Sequence, residues 1–375
     1  MTKYEVKQYK GIINKLKLID SWFWCRYTIN PYNGCEHDCV YCDGRSQKYK
    51  MQADFEQTIF VKEDAAAMLD ARLRRSRVTL PDVVTMGGVC DSYQPAEKEF
   101  HVTRNILEVL LKNGFPLFLL TKSDLILRDM DIIAAINQKT WASIAFTITT
   151  VDPDIARVLE PGASPPSQRL LAMKEFKDEH PEIQAGIAYM PIVPFIEDSD
   201  ESIDHVLGGV KDAGGDFVLF APGMSLREGQ QGYFLEKMRI TFPREHDLIV
   251  MQYVNDAAFK KQYTLKMNKK LLAACKKHGL QHRMKRYIPK DYRKFNYIIA
   301  EQLLNESYDL QITGKAWKPL FWAGQNIQNL KESIAAVHAR GDLSSIRGIT
   351  KAIEGKISAL LPEKKVSGLD RFLVT

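Results

Sequence analysis

The stretch that decides the fold reads Cys35-Glu-His-Asp-Cys39-Val-Tyr-Cys42, which places three cysteines in eight residues with the spacing CxxxCxxC. A structural zinc site usually takes its ligands from two CxxC-like pairs well apart in the chain, and this sequence has no second pair. Thiolates also bind iron–sulfur clusters, and a [4Fe–4S] cluster normally has four cysteine ligands. Three cysteines would leave one iron open to chelate a substrate or cofactor, which suits a catalytic cluster. The alternative is three buried or unrelated thiols.

The other three cysteines, Cys25, Cys90 and Cys275, make the total even, which in a short secreted chain would indicate disulfides. A chain of 375 residues can bury a core without such cross-links, and residues 1–5 open a charged stretch without a secretion signal. The longest mainly apolar run, residues 185–195, contains two prolines and is too short to cross a membrane. These features predict a cytoplasmic protein with reduced thiols and no membrane partner. Cys25 and Cys275 are predicted to be structural.

Short apolar runs alternate with amphipathic ones through much of the chain. The apolar runs predict strands over residues 26–30, 82–86, 117–121, 142–149, 184–190 and 217–221. Amphipathic runs after the first five predict helices over residues 63–75, 98–112, 129–138, 168–178 and 201–213. This alternation predicts an α/β fold whose parallel sheet curls into a barrel or part of one. In such barrels the functional residues gather at the carboxyl ends of the strands.

The longer segment Asn30-Pro-Tyr-Asn-Gly-Cys35-Glu-His-Asp-Cys39-Val-Tyr-Cys42-Asp-Gly-Arg45 resembles the cluster loop of the radical S-adenosylmethionine (SAM) superfamily. Within it, the spore photoproduct lyase-like (DNA repair photolyase) branch commonly reads NPYxGCxHxCxYCYAR, and this chain departs from it at Asp43 and Gly44. The resemblance implies a partial (β/α)6 barrel in which Cys35, Cys39 and Cys42 hold a [4Fe–4S] cluster whose open iron binds SAM. One electron from an external donor would then cleave SAM to a 5′-deoxyadenosyl radical that abstracts hydrogen from the substrate.

The same resemblance implies five SAM-binding residues after later strands: Gly87, Gly88, Lys122, Thr147 and Arg169. Adjacent glycines let the backbone approach the methionine amino group, although a Gly-Gly pair alone is usually a turn. Lys122 would pair with the SAM carboxylate, whereas a lone lysine after a strand is more often solvated. Thr147 would bind the ribose, or is an ordinary strand threonine. Arg169 follows an EPGxxP motif, and its guanidinium fork suits a carboxylate.

Cys90 precedes Asp91-Ser-Tyr-Gln-Pro-Ala-Glu97, which resembles the TDPYQPxE motif of this branch. In the spore photoproduct lyases a cysteine after the second strand is the proposed hydrogen-atom donor to the product radical. Aligned on the aspartate, that cysteine would fall at Gly88, and Cys90 stands where the wider branch has threonine. We predict that Cys90 is the catalytic hydrogen donor. The alternative is a small buried cysteine.

Residues 256–294 hold thirteen Lys and Arg against two Asp, a local net charge of +11 in a chain whose total is +6. Four aromatic residues interleave the basic ones: Phe259, Tyr263, Tyr287 and Tyr292. Basic residues bind phosphates and aromatic faces stack on bases, which favours nucleic acid, and DNA in particular, as the partner. The alternative is a solvated helix face with a buried aromatic side.

Near the C-terminus, residues 341–360 resemble the helix–hairpin–helix module of DNA polymerases and repair proteins, with the hairpin Ile346-Arg347-Gly348-Ile349-Thr350. The usual second glycine of the hairpin is missing here. Hairpin amides, with Arg347 and Lys351, would receive a DNA phosphate without reading bases. A plain helical hairpin explains the apolar spacing nearly as well.

The sequence thus predicts an N-terminal extension over residues 1–24, a radical SAM partial barrel over residues 25–295 and a small all-α module over residues 296–375. The expected activity is that of a lyase that repairs a pyrimidine photoproduct in DNA with a [4Fe–4S] cluster and SAM. The alternatives are radical SAM modification of RNA or another substrate, and a non-catalytic DNA-binding iron–sulfur protein.

Overall fold

A computed structural model describes residues 2–49, 51–52, 54–75 and 79–361 of the chain. Its contacts divide the chain into two compact units. The first unit contains Met1–Lys17 and Cys25–Met284, and the second contains Leu18–Trp24 and Lys285–Thr375. The predicted boundary after residue 24 coincides with a break in this division, but residues 1–17 fall in the first unit and residues 18–24 in the second. The last break follows Met284 and not residue 295.

The large sheet of the first unit carries the fold. The strands are, in chain order, β1 (Lys3–Val6), β2 (Ile13–Lys15), β3 (Tyr27–Ile29), β4 (Tyr32–Asn33), β5 (Thr58–Val61), β6 (Val84–Met86), β7 (Leu117–Thr121), β8 (Ala142–Thr147), β9 (Gln184–Ile192) and β10 (Phe217–Pro222). Seven of them form one sheet in the order β10-β9-β8-β7-β6-β3-β2. The six strands from β10 to β3 in this order run parallel, and β2 pairs antiparallel with β3. Among the described residues the sheet does not close on itself.

Helices connect the parallel strands and continue beyond them. In the first unit they are α1 (Ala65–Arg75), α2 (Glu97–Phe100), α3 (Val102–Asn113), α4 (Met130–Lys139), α5 (Pro153–Leu159), α6 (Pro166–Glu179), α7 (Asp200–Asp212), α8 (Gln230–Thr241), α9 (Pro243–Leu248) and α10 (Ala257–His278). In the second unit they are α11 (Lys294–Ile312), α12 (Lys318–Gln328), α13 (Ile334–Ala339) and α14 (Lys351–Leu360). Within the described ranges, no helix has the length and apolar character that a membrane crossing requires.

The six parallel strands are those that the apolar runs predict, so the predicted α/β class is confirmed. β8 is buried along its whole length, which is why it reads as a continuous apolar run in the sequence. α3 buries Ile106 and Leu110 and ends at Gly114, whose φ of +67° gives the left-handed C-cap that glycine favours. The predicted helix over residues 98–112 is split, because His101 takes a φ of +52° between α2 and α3.

A separate three-stranded sheet has the order β1-β5-β4. β1 runs parallel to β5, and β4 runs antiparallel to it. Part of the predicted N-terminal extension therefore belongs to a sheet. Because β4 ends at Asn33, this small sheet positions the start of the cysteine segment.

The helices of the second unit share one hydrophobic core, which includes Ile299, Leu303, Leu320, Ile327, Ile334, Leu343, Ile346, Ile353 and Ile357. Residues 18–24 belong to this unit through specific contacts. Gln325 Nε2 donates to the Ile19 carbonyl at 3.0 Å, and the Arg286 guanidinium lies 4.9 Å from the Trp24 ring and 3.8 Å from the Tyr297 ring. The grouping of residues 18–24 with the second unit was not predicted, because charge and composition do not reveal such pairings between distant segments.

Candidate active site

The three cysteines of the CxxxCxxC segment lie on a loop directly after β4. Two of them are buried and Cys42 is half-buried. The loop begins at Gly34, whose φ is +90° and where a Cβ would lie 2.5 Å from the Thr58 carbonyl oxygen. The Cys35 amide then donates to the Phe55 carbonyl at 2.9 Å. Only glycine fits this close approach, so the loop is held tightly against the segment that leads into β5.

Two polar side chains connect the loop to the segment after β6. Gln94 Oε1 accepts from the Glu36 amide at 3.0 Å, and Gln94 Nε2 donates to the Gly34 carbonyl at 3.1 Å. The Glu36 carboxylate in turn accepts from the Ala96 amide at 2.7 Å and from the Tyr4 hydroxyl at 2.8 Å. Gln94 is fully buried, so its hydrogen bonds satisfy groups that have no access to water. The segment after β6 thus fixes the position of the first cysteine.

A buried carboxylate joins the cysteine loop to the ends of two strands. His37 Nδ1 lies 3.4 Å from Asp91 Oδ2. Asp91 also accepts hydrogen bonds from the Tyr93 amide at 2.8 Å, the Thr121 hydroxyl at 2.7 Å and the Lys122 amide at 2.7 Å. Burial raises the pKa of Asp91, but the neighbouring His37 and these hydrogen bonds outweigh burial and lower the pKa to about 2. Asp91 is therefore ionised at neutral pH.

The EPG turn packs directly on the cysteine loop. A Cβ on Gly162 would lie 2.0 Å from the Glu36 carbonyl oxygen and 3.0 Å from the Cα of His37. The Gly162 amide donates to the His37 carbonyl at 3.1 Å, and the Val40 amide donates to the Leu159 carbonyl at 2.8 Å. Glycine is required here because no side chain fits between the two backbones.

Arg169 contacts Thr147 by a hydrogen bond to the Thr147 backbone carbonyl and not to its hydroxyl. Arg169 is buried, with Nη1 at 2.5 Å from the Thr147 carbonyl and Nη2 at 2.5 Å from Glu160 Oε2. The Tyr41 hydroxyl donates to the other oxygen of Glu160. Burial raises the pKa of Glu160, but Arg169 and Lys122 outweigh burial and lower it below its usual value. Both terminal nitrogens of Arg169 are thus engaged within the protein.

Lys122 lies beside the cysteine loop, at the end of β7. Its Nζ stands 5.7 Å from the centre of the Tyr41 ring. Burial lowers the pKa of Lys122, but the nearby Cys39 and Glu160 outweigh burial and raise it. The ammonium group therefore stays charged next to the loop, where an anionic ligand would meet it.

The two predicted glycines differ in their surroundings. Gly87 has a φ of +85°, and a Cβ on it would lie 1.9 Å from the Leu120 carbonyl oxygen, so this position packs against β7. Gly88 is exposed, and a Cβ on it would meet nothing within 4 Å. Gly88 is the one with space for a ligand against its backbone.

Cys90 is fully buried and packs in one cluster with Cys35 and Phe55, against which Cys42 and Val89 also pack. Burial, and then the nearby Cys42, raise the pKa of Cys90 to about 12. The fourth cysteine of this region thus lies next to the CxxxCxxC loop. Cys25 and Cys275 are buried elsewhere in the fold.

A further buried carboxyl group, like Asp91 and Glu160, was not predicted as a site residue. Glu197 follows β9, and its Oε2 accepts from the Val193 amide at 2.9 Å. Burial raises the pKa of Glu197 to about 8. Within the described residues, Glu197 Oε1 and the nearby Thr149 hydroxyl make no hydrogen bond of good geometry. In the sequence nothing distinguishes Glu197 from the acidic residues that follow it.

The donor set of the loop fits an iron–sulfur cluster. Burial raises the pKa of all three thiols, that of Cys39 to about 12, while the Lys122 charge opposes this shift at Cys39 and Cys42. Iron would hold such thiols as thiolates, since metal binding displaces their protons. In the described part of the chain, no group of three or more His, Cys, Asp or Glu side chains is arranged to hold a single metal ion. A [4Fe–4S] cluster does not need such a group, because each cysteine binds a different iron atom.

Comparison with known proteins identifies the domain to which this site belongs. Residues 29–207 match the Radical SAM superfamily, from the end of β3 into α7. This chain therefore carries a radical SAM domain. The cysteine loop and strands β6 to β9 lie within the matched region, whereas β10 follows it.

Solved structures with the same fold include spore photoproduct lyase complexed with dinucleoside spore photoproduct. That structure aligns with a TM-score of 0.55 at 15% identity and covers 73% of this chain and 79% of that chain. A mutant of the same lyase aligns with a TM-score of 0.54 at 15% identity and the same coverage. At this identity the likeness shows the fold alone.

Sequence relatives include an uncharacterized protein of Mycobacterium tuberculosis, 32% identical over 232 residues. The match covers 61% of this chain and 66% of that protein, slightly less than two thirds of its length. An uncharacterized protein of Methanocaldococcus jannaschii is 28% identical over 239 residues, which cover 63% of this chain and 82% of that protein.

Proposed function

We propose that this protein is a radical SAM lyase that repairs a pyrimidine photoproduct in DNA, with a [4Fe–4S] cluster on Cys35, Cys39 and Cys42. The observation that carries the proposal is the fixation of the cysteine loop. Buried groups from the segments after β6 and β8 hold that loop by its backbone, and Lys122 from the end of β7 adds a charge beside it. Rigid support of this kind is what a reactive centre requires.

When bound, the cluster would supply one electron to SAM, whose cleavage yields the 5′-deoxyadenosyl radical. Lys122 binds the carboxylate of SAM, because it is a charged ammonium group next to the loop. The open backbone of Gly88 receives the amino group, and Gly87 supports the turn that presents it. Thr147 contacts the ribose. Arg169 acts as a positioning residue, because Glu160 and the Thr147 carbonyl already occupy its two terminal nitrogens.

Cys90 is proposed to quench the product radical. Its S–H bond breaks, the hydrogen atom moves to the carbon radical of the repaired base, and a thiyl radical remains on Cys90. The thiyl returns to the thiol by taking one electron from the external donor and one proton. Cys90→Ala is expected to release 5′-deoxyadenosine while the yield of intact repaired DNA falls and side products accumulate. An unchanged product distribution would assign Cys90 a structural role.

Product analysis on UV-irradiated DNA tests the substrate. Anaerobically reconstituted protein with SAM and dithionite is incubated with UV-irradiated DNA, intact DNA and RNA, and the nucleosides are analysed by mass spectrometry. Photoproduct loss in the first sample alone supports repair. A modified nucleoside in intact DNA or RNA indicates the alternative enzyme, and no turnover of SAM in any sample indicates a non-catalytic iron–sulfur protein.

Cys275→Ala is the matched control for Cys35→Ala. Both cysteines are buried, but Cys275 lies on α10, away from the CxxxCxxC segment. Photoproduct loss that persists in Cys35→Ala would contradict the cluster mechanism. Loss that persists in Cys275→Ala is expected.

A further inference from the structure

Trp322 is an exposed aromatic residue in the second unit. The relative exposure of Trp322 is 49%. The opposite face of α12 is buried and contains Leu320, Ala323 and Ile327. Trp322 contacts Phe321 edge to face, with ring centres 5.2 Å apart. Core packing therefore does not explain Trp322, and an exposed, supported indole is a platform on which another flat group can stack.

The hairpin of the C-terminal segment lies on the same side of α12 as Trp322. Residues four apart share one face of a helix, so Lys318, Trp322 and Asn326 form a row along α12. Asn326 Nδ2 donates to the Arg347 carbonyl at 2.6 Å, which fixes the hairpin at the end of this row. The hairpin turns at Gly348, whose φ is +85°. The indole is thus one helical turn from the hairpin contact.

The charge on this surface is mainly positive, although Glu354 lies three residues after Lys351 on α14. Four exposed basic residues lie on or next to the row and the hairpin: Lys315, Lys318, Arg347 and Lys351. Within the described residues none of these four forms an ion pair, whereas the nearby acidic Glu306 and Glu332 are paired with Lys356 and Arg340. Unpaired cations around an exposed indole match a polyanion that also carries flat, apolar faces, which describes a nucleic-acid strand.

We propose that this surface, Lys318, Trp322 and Asn326 with the hairpin 346–350, binds a nucleic-acid strand by stacking Trp322 on an unpaired base. Arg347 and Lys351 bind the flanking phosphates. The base must be unstacked, as in a single strand, because both faces of a base inside a duplex are already covered by its neighbours. The inference rests on the proposed function in one respect, which is that nucleic acid is the partner. It restricts that partner to nucleic acid with an unstacked base.

The test measures binding of the full-length protein to fluorescein-labelled oligothymidylate and to a blunt duplex of equal length, by anisotropy at fixed salt. Loss of stacking on one base is expected to weaken oligothymidylate binding of Trp322→Ala about tenfold. Duplex binding should be unchanged, and Trp322→Phe should retain most of the affinity for oligothymidylate. Leu360→Ala is the matched control, because Leu360 is an exposed apolar residue of the same unit.

Three results would overturn the inference: no binding of oligothymidylate by the wild-type protein, equal loss of affinity for both probes in Trp322→Ala, or no loss for either probe. The assay needs neither cluster nor SAM. A protein that binds as expected but does not cleave SAM contradicts the proposed function alone. A protein that cleaves SAM but fails the binding test contradicts this inference alone.

Discussion

Gly162 lies so close to Glu36 that a Cβ on Gly162 would stand 2.0 Å from the Glu36 carbonyl oxygen. Gly162→Ala must therefore push the EPG turn away from the cysteine loop. We expect the variant to lose about 1–3 kcal/mol of folding stability and to bind less iron and sulfide after reconstitution. Gly232→Ala is the control, because a Cβ there meets nothing within 4 Å. Full cluster content in Gly162→Ala would contradict the close packing.

The amide of Gln94 makes two hydrogen bonds to the backbone around Cys35. Gln94→Leu leaves the buried Gly34 carbonyl and Glu36 amide without these partners, at an expected cost of about 1–3 kcal/mol. The reconstituted variant should release iron to a chelator faster than the wild type. The exposed Gln57, changed to Leu, serves as control. Equal release rates for all three proteins would show that Gln94 does not support the loop.

Arg169 and Glu160 form a buried ion pair, so removal of one partner leaves the other as a buried charge without its counter-ion. Arg169→Met is expected to destabilise the protein by about 3–5 kcal/mol in denaturant unfolding, because the Glu160 carboxylate loses its partner. The double variant Arg169→Met with Glu160→Gln should recover much of this loss. SAM binding in the double variant then separates the two roles. Retained binding supports a positioning role for Arg169, and lost binding with recovered stability supports direct cofactor contact.

The fold was predictable because the sequence pattern that predicts each strand and helix lies within that element. Each parallel strand is a short apolar run and each crossover helix is an amphipathic one, so the succession of β3 and β6 to β10 along the chain follows from the sequence. The small sheet was not predicted, because β1 pairs with β5 across more than fifty residues and neither strand has a clear pattern of its own. The split between α2 and α3 was also missed, since it depends on the backbone of His101.

The candidate site was predictable in its residue types and not in its pairings. The sequence indicates Cys35, Lys122 and Arg169, but the partners of these groups come from segments that only the folded chain brings together. Glu160 and the Thr147 carbonyl occupy the two terminal nitrogens of Arg169, which the motif could not reveal. The burial of Glu197 likewise depends on the packing of the loop after β9.

The buried carboxyl of Glu197 should make stability depend on pH. Its pKa is raised to about 8 in the folded protein from the usual 4.5. The folded state therefore holds a proton that the unfolded chain releases above pH 4.5, and the free energy of unfolding should fall between about pH 4.5 and 8. Glu197→Gln cannot ionise, so its stability curve should be flatter than that of the wild type and of the exposed control Glu175→Gln. Parallel curves for all three proteins would mean that Glu197 titrates normally.

Release of 5′-deoxyadenosine from SAM is the most direct test of radical SAM chemistry in this protein. Protein reconstituted anaerobically with iron and sulfide, then given SAM and dithionite, should produce 5′-deoxyadenosine, quantified by chromatography and mass spectrometry. Variants that replace Cys35, Cys39 or Cys42 by Ala should produce none, whereas Cys275→Ala should match the wild type. No 5′-deoxyadenosine from wild-type protein with a full cluster, or undiminished release from the three loop variants, would contradict a radical mechanism that depends on Cys35, Cys39 and Cys42.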